Sequence, residues 1–179
     1  MSDMSTSTPM PAPAPAVDPA TMQKMEARYR LGKTLISGAD WFFWIAALSV
    51  INTVIMLAGG STSFIAGLGI TQFIDGFAFA MKEGSTGGIV PLLTAINIIL
   101  DLAVIGLFVV FGIFARKAHR WAFIVGMVLY LLDSLIFLYV QDFLSLAFHA
   151  WALFGLFTGY RAISAIKKLD YQDAVISPA

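Results

Sequence analysis

Four apolar stretches, at about residues 41–58, 89–115, 121–140 and 143–160, alternate along the chain with short polar and basic segments. Each holds about 18 residues or more, which at ~1.5 Å of rise per residue matches the ~30 Å hydrocarbon core of a bilayer. The pattern predicts four transmembrane helices. Trp41, Trp44, Trp121 and Tyr160 fall near one end of their spans and Tyr139 near the other, where interfacial aromatics belong. A fifth apolar segment, 64–81, is also about 18 residues long, and length alone would allow it to cross.

The basic residues decide how that segment is placed. Ten of the eleven Lys and Arg fall in three clusters: Lys24, Arg28, Arg30 and Lys33; Arg116, Lys117 and Arg120; Arg161, Lys167 and Lys168. With four spans, the positive-inside bias puts all three clusters on the cytoplasmic side. Were 64–81 to cross, the second and third clusters would oppose the first. As a segment that returns to the outer face, it leaves only Lys82 outside. Gly67, Thr71, Asp75, Ala78 and Lys82 recur along it at helical spacing, giving a small and polar stripe on an otherwise apolar helix. The expected fold is an all-α integral membrane protein, a four-transmembrane-helix bundle with an additional external interfacial or re-entrant helix over 62–82.

Around this membrane domain, 39–165, lie three flanking segments. Residues 1–20, with Pro9, Pro11, Pro13 and Pro15 alternating, are expected to form a disordered cytoplasmic tail rather than a signal peptide, since a basic start and an apolar region are missing. Residues 21–38 interleave Met22, Met25, Tyr29 and Leu35 with basic residues, as a basic amphipathic juxtamembrane helix would. Residues 166–179 are expected to be a cytoplasmic C-terminal tail.

Composition supports a lipid environment, with 59% hydrophobic and 12% charged residues and a mean hydropathy of +0.83. The partner it implies is the lipid bilayer of a cytoplasmic (inner or plasma) membrane. The net charge is zero, so no global field argues for nucleic acid. The absence of cysteine excludes disulfides, thiolate metal ligands and Cys-x-x-Cys redox chemistry. Nucleophile-elbow, zinc-protease, phosphate-loop and dinucleotide motifs are also missing, and no cofactor is expected.

Each span carries polar residues on one face: Ser49, Asn52 and Thr53; Thr94, Asn97 and Asp101; Tyr130, Asp133 and Ser134; Ser145 and His149. Counted inward from the outer ends at ~1.5 Å per residue, Asn52, Asn97, Asp133 and His149 lie roughly 9–12 Å deep and Asp101 roughly 18 Å deep. An acidic residue at a helix centre costs about 2.5–3.5 kcal/mol on insertion scales, so Asp101 and Asp133 are expected to point inward. There they can pair with His149, bond to the asparagines or stay protonated. Asn52, Asp75, Asn97, Asp101, Asp133 and His149 form the candidate site, an outward-facing intramembrane polar site for a small ligand, ion or lipid. A metal site is not expected, because no closely spaced His pair or Glu-x-x-His motif is present.

Two other classes compete. The stripes can be packing devices in a structural or accessory subunit of a larger complex, or Asp133 and His149 can be the acid–base pair of an intramembrane enzyme. Gly155 and Gly159 form a small-residue pair that permits close helix approach, either within the chain or to a second copy or another membrane protein.

Overall fold

Leu, Ile, Ala and Phe dominate the apolar stretches, and proline within the described helices is confined to first turns, at Pro19 and Pro91, where its missing N–H costs nothing. Helices therefore run long. A computed structural model describes residues 18–58, 67–83 and 89–176; the proline-rich tail at 1–17, the break at 59–66, the loop at 84–88 and residues 177–179 lie outside them. The elements are α1 (Pro19–Leu57), α2 (Gly69–Glu83), α3 (Ile89–Arg116), α4 (Arg120–Tyr139) and α5 (Phe143–Ile176). All described regular structure is helical, and α1, α3, α4 and α5 are long and apolar enough to cross a membrane.

Two boundaries differ from the sequence expectation. The juxtamembrane helix at 21–38 and the first span are one unbroken helix of 39 residues, and the segment at 166–176, expected as a tail, continues α5. Ion pairs join the two extensions. Lys24 Nζ lies 2.8 Å from Asp173 Oδ1 and Arg28 Nη1 lies 2.5 Å from Asp170 Oδ1, so each extension gives the other a charged partner.

The bundle has two ends of different character. At one end Arg116 pairs with Asp40 at 2.6 Å and caps the Phe43 ring, while Arg120 donates to Ser164 Oγ at 2.6 Å. Together with the α1–α5 ion pairs, these contacts bring the three basic clusters to the same end. Above them Phe42, Phe108, Phe111 and Phe123 interlock with ring centroids 5.9–6.2 Å apart. Outward-facing Ile99, Leu102, Leu132, Leu135 and Phe154 are each more than half exposed, so the bundle presents apolar side chains outside as well as inside. That surface suits lipid rather than water.

Where α1 crosses α5 the backbones meet. A Cβ on Gly159 would lie 2.8 Å from Gly38 Cα and 3.1 Å from the Phe123 ring, and one on Gly155 would overlap the Trp41 indole. The small-residue pair of α5 thus receives α1 of the same chain. The α3–α4 and α4–α5 junctions are short turns in which Ala118 (φ 61°) and Gln141 (φ 59°) take the left-handed conformation that closes a helix end. His119 N–H bonds Phe114 O at 3.1 Å and Asp142 N–H bonds Phe137 O at 3.0 Å. Asp142 then caps α5, its carboxylate accepting the Ser145 hydroxyl at 2.6 Å and the Ser145 N–H at 3.1 Å. The Ser145 hydroxyl, followed by that N–H, holds the Asp142 carboxyl below its ordinary range.

Gly159→Ala should destabilise the bundle by about 1–3 kcal/mol, because the backbone it would strike cannot rotate away; thermal unfolding in detergent measures this. The Asp142 cap has a pH signature. Its folded-state pKa is depressed, so its contribution is present above the unfolded value near ~3.9 and is lost as pH falls through the folded one. Asp142→Ala should cost about 1 kcal/mol at neutral pH, and the gap to the wild type should shrink in melts taken at progressively more acidic pH.

Candidate functional site

Register along the helices places the polar residues. From the Asp40–Arg116 contact, Thr53 lies thirteen residues up α1 and Asp101 fifteen up α3, and Thr53 Oγ1 is 3.4 Å from Asp101 Oδ2. From the Arg120–Ser164 contact, Asp133 and His149 lie thirteen and fifteen residues up α4 and α5, and they touch at 3.0 Å. Both rungs therefore stand at roughly 20 Å, at ~1.5 Å per residue, above the basic end. Asp101 belongs to the same layer as Asp133, His149 and Asn52, whereas Asn97 sits one turn above it. Counting inward from the opposite ends reverses those two because α3, at 28 residues, overhangs α4, at 20.

Into this layer comes the start of α2. Leu68, Thr71, Asp75 and Ala78 are buried while Phe73, Phe77 and Met81 face out, so the small and polar stripe faces the bundle. The first N–H groups of a helix have no partners within it. Here two other helices supply them. Leu68 N–H donates to Ser49 Oγ of α1 at 2.9 Å, and Gly69 and Ile70 N–H donate to Asp133 Oδ2 and Oδ1 of α4, each at 2.8 Å. His149 of α5 backs that carboxyl. Its Nδ1 is 2.8 Å from Ser145 O, which can only accept, so Nδ1 carries a hydrogen; the Nε2 contact with Asp133 Oδ2 then requires a second proton. Two backbone donors and the positive end of a helix meet the same carboxyl from the side of α2. The Tyr130 ring stacks on the imidazole, with centroids 4.3 Å apart and planes at 17°, and Phe137 closes another side at 4.8 Å.

Asn52 lies against Gly67, where a Cβ would overlap its side-chain nitrogen, so it marks the approach to α2. Further along α2 the picture changes. Asp75 Oδ1 accepts Asn97 Nδ2 at 2.7 Å, and the Asp75 carboxyl lies beside the Asp101 carboxyl, one turn from Asn97 on α3. Asp75 Oδ2, Asn97 Oδ1 and Asp101 Oδ1 are buried and unpartnered among the described residues.

The six candidates thus fall into two groups. Asp133 and His149 form a satisfied anchor, every nitrogen and oxygen of which is engaged. Asp75, Asn97 and Asp101 form a cluster in which one oxygen of each side chain has no partner among the described residues. Sequence reasoning placed Ser49 in a polar stripe without giving it a role; its function as a helix-start acceptor depends on the chain returning to it, which α1 alone does not reveal. Gln72, whose buried Nε2 is also unpartnered, was overlooked, although it lies three residues before Asp75 and so shares its face.

A cleft of about 320 Å³ opens sideways between α3 and α4, lined by Leu68, Ile70, Val104, Phe108 and Leu129, with Asp133 at its wall. It is apolar and faces the same surroundings as the outward Leu and Ile residues. Among the described residues no three His, Cys, Asp or Glu side chains come close enough together to hold a metal ion. Comparison with protein-family models, with curated proteins and with solved structures finds no match.

Asp133→Ala should cost about 3–5 kcal/mol, since it strands two buried N–H groups and an imidazole. Asp133→Asn, which keeps an acceptor, should cost less; chemical or thermal unfolding in detergent ranks the pair, and equal, small losses would contradict the anchor.

Proposed function

We propose that this chain is a four-span protein of the cytoplasmic membrane, with both ends in the cytoplasm, that serves as a non-enzymatic, outward-facing intramembrane site for a small ligand or ion. The observation that carries this reading is the Asp75, Asn97 and Asp101 cluster. Buried polar groups that only fix packing are normally hydrogen-bonded in full, and three spare acceptor oxygens in one place are a cost that packing does not require.

Membrane insertion is supported by the apolar outer faces of α3, α4 and α5, and orientation by the three basic clusters at a single end. In that orientation α2 is a re-entrant helix. It starts about 20 Å above the inner end, beneath the outer surface, and climbs outward along α3, with its backbone donors satisfied by protein as a hydrocarbon environment demands. Its outward Phe73 and Phe77 then face lipid or the outer interface. The acid–base alternative for Asp133 and His149 is weakened by the same geometry, because both groups are spent on holding α2.

Because the chain has no cysteine, single introduced cysteines test the arrangement cleanly. Gly84→Cys should react with an impermeant maleimide in intact cells and His119→Cys only after permeabilisation; the reverse pattern would defeat the orientation. To separate site from packing, Asp101→Asn, which keeps the shape and adds a donor beside the spare acceptors, should leave the thermal midpoint close to that of the wild type. A large loss of stability or of assembly would instead support the accessory-subunit reading.

A further inference from the structure

Two carboxyl groups in contact are two sets of acceptors, and nothing among the described residues lies between Asp75 and Asp101 to donate to both. Asn97 Nδ2 serves Asp75 Oδ1, and the Thr53 hydroxyl serves Asp101 Oδ2 only weakly, at 3.4 Å. Each carboxyl keeps one free oxygen, and Asp101 is fully buried. Two ionised carboxylates so placed would repel each other in surroundings that screen them poorly.

The charged and titratable groups around the pair do not relieve this. From α1 come only the neutral Thr53 and Asn52. From α4 and α5 come Asp133, His149 and Tyr130, the first two engaged with each other and with the start of α2. On α3 the nearest neighbour is the neutral Asn97, and among the side chains described on α2 no charged group other than Asp75 is present. The arginines lie at the far end of the bundle.

We propose that Asp75 and Asp101 form an acid pair that binds one proton, held between their free oxygens, and that this proton docks the outward half of α2 onto α3. Binding is a plain protonation: one carboxylate takes a hydrogen ion from water, becomes a carboxylic acid and donates to the other carboxylate. Release returns the ion to water and leaves two negative charges facing each other. Among the described residues no third carboxylate or imidazole joins the pair to complete a metal site, which favours a proton over a metal ion. The unpartnered Asn97 Oδ1, in a side chain that is 4% exposed, adds an acceptor beside the pair for a water or hydronium on the route. Because α2 is pinned at its start by Asp133 and Ser49, losing the proton frees its second half and leaves its anchor in place. The consequence is a proton-controlled flap on the outer face. This rests on the proposed intramembrane site and names its ligand.

Infrared spectroscopy of the purified protein in lipid nanodiscs tests it. At neutral pH the wild type should show the carbonyl stretch of one protonated, hydrogen-bonded carboxyl per chain, and the band should disappear as pH is raised, equally in sodium and choline buffers. Asp75→Asn and Asp101→Asn should each abolish it. A wild type without the band overturns the proposal even if neither variant folds. So does a band that survives both variants and vanishes in Asp133→Asn, which would put the proton on the anchor, or a midpoint that follows sodium concentration, which would make the ligand a metal cation. Failure of cysteine labelling with the band retained would count against the membrane orientation alone and leave the acid pair standing.

Discussion

The start of α2 inside the bundle depends on one carboxylate. Three backbone N–H groups at Leu68, Gly69 and Ile70 would be stranded there, each at a cost of about 1–3 kcal/mol. Asp133 takes two of them and Ser49 the third. The carboxylate is itself a liability in such a place, and the dipole of α2 together with His149 offsets it. Neither partner is tolerable alone. A buried helix start needs an anion, and a buried anion needs donors, so α1, α4 and α5 are tied to α2 through a single set of bonds.

Everything above and below follows from that knot. Beneath it the interior is aromatic, with Phe42, Phe108, Phe111 and Phe123 filling the space down to the basic end, and the α1–α5 crossing at Gly38 and Gly159 sets how closely the helices approach. Above it, α2 is directed along α3, which brings Asp75 opposite Asn97 and Asp101. The cluster with spare acceptors therefore exists because the anchor fixes the register of α2. The functional consequence is a division of labour between two acidic centres: one fully compensated and rigid, the other short of donors and able to exchange a proton.

Much of this was legible in the residues. Apolar lengths gave the four long helices, and side counting with Lys and Arg set α2 apart from them, since a fifth crossing would have scattered clusters that the structure brings together at one end. Pairing of Asp133 with His149 was one of the arrangements the offsets within each helix allowed, beside bonding to the asparagines and pairing of His149 with Asp101. The relative height of Asp101 and Asn97 did not, because it depends on how far α3 overhangs α4, a tertiary quantity that no span length reveals. The long extensions of α1 and α5 were also hidden, for a helix paired by Lys24–Asp173 and Arg28–Asp170 looks, from either strand of sequence alone, like a solvated charged tail. Asp75 was visible as a polar position on an apolar helix; that it faces a second carboxyl, Asp101, was not.

The central claim is that the start of α2 is held inside the bundle by side chains of two other helices, Ser49 of α1 and Asp133 of α4, with His149 of α5 behind the carboxyl. Amide hydrogen exchange resolved at Leu68, Gly69 and Ile70 tests it most directly, because the first amides of an ordinary helix are unbonded and exchange freely. The account requires these three to be protected to the level of the α4 and α5 interior. Exchange at the rate of an open helix end would show that Asp133 and Ser49 do not hold them, and would contradict it.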